Sequence, residues 1–185
     1  MKTKEIRKEI DATLTELLEV ISTFDQGQIN LIPIKGSWTA GQVAEHLVLS
    51  IAAFVNLMKG PDKKTERPPD EKEEGIKKTF LDFSIKLKSP NFIVPEEKYY
   101  QKEELQQILK SLKGELDKII DTADLEKTCT AFEIPVIGHL TRLEGAFFVR
   151  YHTQRHIRQL RNIHQKLDSI VEPRRHEEAR MRKEI

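Results

Sequence analysis

Apolar residues recur at three- and four-residue steps through most of this chain, the period of an amphipathic helix. Ile6, Ile10, Leu14, Leu17, Ile21 and Phe24 form one such stripe and predict a helix over residues 3–24. Gly27, Pro33 and Gly36 then break the pattern. A second helix is predicted to open at Thr39, where Thr39-Ala-Gly-Gln42 reads as a capping box, and to end at Gly60-Pro61. Its stripe includes Val43, His46, Leu47, Ser50, Ile51 and Phe54. Residues 59–100 have a different texture: GPDKKTERPPDEKEE is polar and expected to be exposed, and Ile76, Phe80 and Phe83 suggest a short helix. A third long helix follows over about 101–121, with Leu105, Leu109, Leu112 and Leu116 inward. The fourth begins at another capping box, Thr141-Arg-Leu-Glu144, and is expected to run to about Val171 on a stripe that includes Phe147, His152, His156, Leu160 and Ile163.

No segment reads as a strand, so the expected fold is all-α: a four-helix bundle over residues 1–171 with a charged tail at 172–185. The crossover at 59–100 far exceeds the ~2–8 residues that join adjacent antiparallel helices. It is long enough to traverse the bundle, which lets the second and third long helices run parallel and gives an up-down-down-up order.

Composition narrows the functional classes. Charged residues make up 33% of the chain, but 31 basic against 30 acidic leaves a net charge of +1. That balance removes the general electrostatic argument for nucleic acid or an anionic membrane. Uninterrupted apolar stretches are only a few residues long, so no span is expected, and the start runs straight into the amphipathic pattern without a signal-peptide core. One cysteine, Cys129, fits a reducing compartment and is expected to be buried or inert. The expectation is a cytoplasmic protein. Apolar and aromatic residues beyond the core's needs would let it form a homodimer, with no face specified.

Candidate chemistry lies in the histidines. His152 and His156 are four apart and share one helix face about 6 Å apart, a spacing that lets two imidazoles reach one metal ion. The alternative is one core histidine with a hydrogen-bond partner and one at the surface. Both lie on an apolar stripe, where an imidazole must satisfy its nitrogens. His46 lies on the stripe of the second helix. It is about 18 Å from that helix's end, as the midpoint of His152 and His156 is from the start of the fourth. If the two helices are antiparallel with level ends, the three rings meet. His139, His164 and His176 fail this test and are expected to be structural or exposed, and Trp38 reads as a packing anchor. No histidine follows a glutamate by three residues, which sets aside a ferritin-like di-iron site.

These segments resemble a known family. GSWTAGQVAEHL (36–47) is similar to the Trp-Ser/Thr…His entry to the second helix of the DinB/YfiT-like proteins, and GHLTRLEGAFFVRYHTQRHIRQL (138–160) to their Leu-Thr-x-x-Glu…His-x-x-x-His-x-x-Gln-Leu fourth helix. The resemblance implies the same up-down-down-up bundle and a divalent metal, zinc or nickel, on His46, His152 and His156. It also implies activation of water or of a low-molecular-weight thiol toward a small-molecule substrate, as a hydrolase or thiol S-transferase. A non-catalytic metal-binding or stress-response bundle is the alternative. One departure is visible: Gly145 follows Glu144 where the family usually carries an aromatic, which is expected to reshape the pocket near the helix start. Gln159, three residues after His156, is placed to orient it. Neither Glu45 nor Glu144 is expected to act as a general base, and Glu144 is explained by its capping box.

Overall fold

The computed structural model describes residues 2–181, with side chains from Lys4 to Ser169. Four long helices form it: α1 (Lys2–Ser22), α2 (Ala40–Lys59), α4 (Lys102–Thr122) and α5 (Arg142–Met181), with a short α3 (Glu73–Leu81) in the crossover. α5 therefore runs past the expected stop near Val171; of the expected tail, residues 182–185 lie outside the described residues. Both capping boxes form. Thr39 Oγ1 accepts from the Gln42 N–H at 3.1 Å while Gln42 Oε1 accepts from the Thr39 N–H at 2.9 Å. Thr141 and Glu144 make the same exchange at 3.0 and 2.9 Å. Each satisfies donors that the first helical turn leaves orphaned.

Side-chain ties fix the course of the chain. Arg7 near the start of α1 pairs with Asp117 near the end of α4 at 2.8 Å, and Lys102 at the start of α4 donates to the Phe24 carbonyl at 2.9 Å. These helices are antiparallel. Arg150 meets Glu9 and Arg161 meets Glu16, each at 2.8 Å, so α1 and α5 are parallel. Lys59 pairs with Glu115 while Gly41 lies against Tyr100, so α2 and α4 are parallel too. The order is up-down-down-up, as the length of the crossover predicts. α3 packs on α5 on the outside of the bundle.

The core sits where the four stripes meet. Ile10, Leu17, Leu47, Leu116 and Leu160 are fully buried, and each such side chain contributes about 1.5–3 kcal/mol relative to exposure. α2 has the length and hydropathy of a membrane span, but 67% of it is buried inside the bundle. That is what a central core helix requires.

Two further details depart from the sequence reading. Asp62–Lys63 and Thr128–Cys129 form a two-residue antiparallel ladder, too short to carry a period-two pattern. The polar stretch after α2 is also not wholly exposed: Arg67 turns inward onto the buried Glu144 with two contacts of 2.6 Å. Cys129 is fully buried, as expected, and burial pushes its thiol pKa up.

Gly41 shows how tightly the crossover is seated. A Cβ there would fall 2.9 Å from Tyr100 Cβ and 3.0 Å from the Ile29 carbonyl oxygen. Helix propensity alone favours alanine by up to about 1 kcal/mol, whereas overpacking a closed contact costs about 1–3 kcal/mol. Gly41→Ala is expected to lower the urea midpoint; an unchanged or higher midpoint would show that Tyr100 yields freely.

Candidate metal centre

The antiparallel pairing of α2 and α5 brings their two ends level: Arg142 Nε donates to the Met58 carbonyl at 2.7 Å. The height comparison made on sequence therefore applies. His46, His152 and His156 meet in the bundle interior, each presenting a ring nitrogen within 4.8 Å of the others. His46 Nε2 is 3.1 Å from His152 Nε2, which is 3.0 Å from His156 Nε2. The rings are set edge to face, with centroids 4.6–5.0 Å apart.

The opposite ring nitrogens determine what those Nε2 atoms carry. His46 Nδ1 lies 2.7 Å from the Ile93 carbonyl oxygen, which can only accept, so Nδ1 holds the proton. His156 Nδ1 faces Gln159 Oε1 at 2.7 Å, and His152 Nδ1 faces Ser50 Oγ at 3.2 Å. The Gln159 carbonyl takes the His156 Nδ1 proton, which leaves Nε2 of His46 and His156 as lone-pair nitrogens, while the Ser50 hydroxyl can donate to His152 Nδ1 or accept from it. In the tautomer where Ser50 accepts, three lone pairs converge, with His152 Nε2 3.0–3.1 Å from the other two, and they repel unless a cation stands between them.

A metal ion fits that position. Nitrogens 3.0–3.1 Å apart could both reach one ion at the ~2.0–2.1 Å typical of a metal–imidazole bond, with His46, His152 and His156 as the residues that would hold it. The donor set is three neutral imidazoles, suited to a first-row divalent ion. Burial lowers the pKa of all three histidines. It takes His156 to about 3 and His152 well below the usual range, and the neighbouring rings add repulsion. The lone pairs are therefore available at neutral pH.

The surroundings are apolar and aromatic. Trp38 packs its ring 5.2 Å from His46, beyond the anchoring role read from sequence. Phe80 and Phe148 lie 5.0 and 5.7 Å from His152. Gly145 does not open this region, because Met58 fills the space where a larger side chain would stand: a Cβ on Gly145 would be 3.3 Å from Met58 Sδ. Glu144 is occupied by Arg67, the Lys72 N–H and its capping box. Glu45 pairs loosely with Lys98 at 4.0 Å.

The remaining histidines with described side chains serve elsewhere. His139 contacts Glu133 at 3.1 Å, and His164 contacts Asp168 at 2.8 Å. The side chain of His176 lies outside the described residues. Sequence reasoning missed Ser50 and Ile93. Ser50 had a signal, since it stands one turn after His46 on the same stripe. Ile93 acts through its carbonyl, which no residue-type pattern can announce.

Fold and site together define a class: small helical bundles with an up-down-down-up course and a histidine triad between the second and last long helices. The chain belongs to the DinB superfamily, whose sequence profile matches residues 9–160. Among solved structures it is similar to TT2238, described as a four-helix bundle protein, with TM-score 0.55 and 20% identity over 86% of this chain and 98% of that one. It is also similar to YfiT from Bacillus subtilis, described as a probable metal-dependent hydrolase with an unusual four-helix bundle topology. There the TM-score is 0.56 and the identity 15%, over 90% of this chain and 87% of that one. No curated protein matches the sequence.

Proposed function

We propose that His46, His152 and His156 bind one divalent metal ion, zinc or nickel, through Nε2, in a metal-dependent enzyme acting on a small-molecule substrate. The observation that carries this reading is the orientation of the triad: every Nδ1 has a partner able to accept its proton and every Nε2 faces the centre. Membership in the DinB superfamily and the description of YfiT as a probable metal-dependent hydrolase support it. A divalent ion held by three neutral ligands is a Lewis acid with coordination to spare, able to activate water for hydrolysis or a thiol for transfer. The protein's part is to fix the three rings through Ile93, Ser50 and Gln159 and to keep the site dry with Trp38, Phe80 and Phe148. A second reading, metal held for stability alone, is favoured by the burial of the triad and the absence of a nearby free carboxylate base among the described residues.

Elemental analysis of protein purified without chelator, beside a His152→Ala/His156→Ala variant, tests the site. About one zinc or nickel ion per chain in the first and none in the second is expected. Full loading of the variant, or none of either protein after reconstitution, would sink the proposal. On a cobalt-substituted sample, added thiol that perturbs the visible spectrum favours the enzyme, and a spectrum indifferent to thiols and to anions favours the structural reading.

A further inference from the structure

The triad is closed off: His46, His152 and His156 are 1%, 6% and 8% exposed. Part of what covers it belongs to the crossover. Phe80 lies against His152, and the Ile93 carbonyl sits on His46. Between these two points, residues 82–88 run over the outside of α5 with Phe83, Ile85 and Leu87 42%, 38% and 43% exposed. Apolar side chains left this exposed give up part of the burial that would otherwise hold the segment in place.

Its hydrogen bonds show what does. The Phe80 and Asp82 carbonyls accept from Arg155 Nη1 at 3.0 and 3.1 Å, and the Ile85 carbonyl accepts from Nη2. The Arg158 guanidinium lies 3.9 Å from the Phe83 ring centroid and adds a cation–π contact. The other hydrogen bonds of residues 82–88, among the described residues, are local or return to the end of α3. One guanidinium thus gathers three carbonyls, which its planar fork of donors permits and a lysine ammonium matches poorly. It also stands one residue before His156, on the same helical turn as the triad.

We infer that Arg155 is a positioning residue, the latch that holds residues 80–85 over the histidine site. Ligands then reach the site by release of this segment. The inference rests on the proposed metal site for its purpose, but the latch itself can be tested with or without metal.

The test compares wild type, Arg155→Ala, Arg155→Lys and Leu112→Ala, the last a core truncation in α4 that lowers stability away from the site. Trypsin cleavage after Lys86 and Lys88 in metal-free protein reads the cover directly. It is expected to be at least tenfold faster in Arg155→Ala than in wild type, intermediate in Arg155→Lys and close to wild type in Leu112→Ala. In zinc-loaded protein, zinc transfer to a chromogenic chelator should accelerate in the same order while the starting stoichiometry stays at about one per chain. Rates in Arg155→Ala no higher than in Leu112→Ala, in either measurement, would overturn the latch. A wild type that takes up no zinc would defeat the metal proposal and leave the cleavage rates to decide the latch.

Discussion

Replacing Arg67 with alanine is expected to cost about 3–5 kcal/mol of stability, the range for removing one partner of a buried ion pair. The Glu144 side chain is 0% exposed, and its carboxylate accepts four hydrogen bonds: two from Arg67 at 2.6 Å, and one each from the Lys72 and Thr141 N–H groups at 2.9 Å. Arg67 alone among these carries a charge, and its own pKa is raised by the bond to Glu144. Without it the buried carboxylate keeps two neutral donors and loses its paired charge. Glu144→Gln is also costly, because every contact of this side chain is to a donor and a glutamine NH2 would be turned toward one of them. Urea unfolding of Arg67→Ala checks the magnitude. A loss under about 1 kcal/mol, the value of a surface pair, would show that the crossover opens to hydrate Glu144.

This pair marks where legibility in the sequence ends. The four long helices were readable because each buries a continuous stripe, and two of them, α2 and α5, opened on a capping box that acts locally. Helix order was readable from one length, that of the crossover. The depth of the triad followed from counting residues along two helices, and Arg142 to Met58 supplies the level ends that the count assumed. The crossover itself was not readable. Arg67 comes from a run of charges whose composition matches any solvated loop, and its partner is far along the chain. Arg155 likewise looks like one more polar residue on a charged helix face until the carbonyls of residues 80–85 are brought to it. Interactions between a side chain and a distant backbone carbonyl, such as His46 with Ile93, leave no trace in residue type.

Metal-free protein is expected to lose stability steeply on acidification from pH 6.5, well above the range where carboxylates titrate. All three triad histidines have folded-state pKa values below the usual 6.5, with His156 at about 3. Below pH 6.5 the unfolded chain therefore binds protons that the folded one refuses, and linkage makes stability fall with falling pH. Each imidazole kept neutral contributes about 1.4 kcal/mol of loss per pH unit. For His156 that is about 2 kcal/mol at pH 5, with His46 and His152 adding in the same direction, against the ~5–15 kcal/mol available to a domain. The loss continues for His156 until the pH approaches its folded value of about 3. Unfolding free energies measured in urea with chelator present, at pH 7.5 and 5.0, give the slope. Its assignment comes from His156→Gln, which removes one titrating ring and should reduce the proton difference by about one. Bound metal occupies the same lone pairs, so the loaded protein should hold its stability further into acid and then lose metal and fold together. Stability that stays level between pH 7.5 and 5.0 without metal would mean that the triad takes up a proton at little cost. The lone-pair argument for a cation between the rings would then fail, because a shared proton could do the same work.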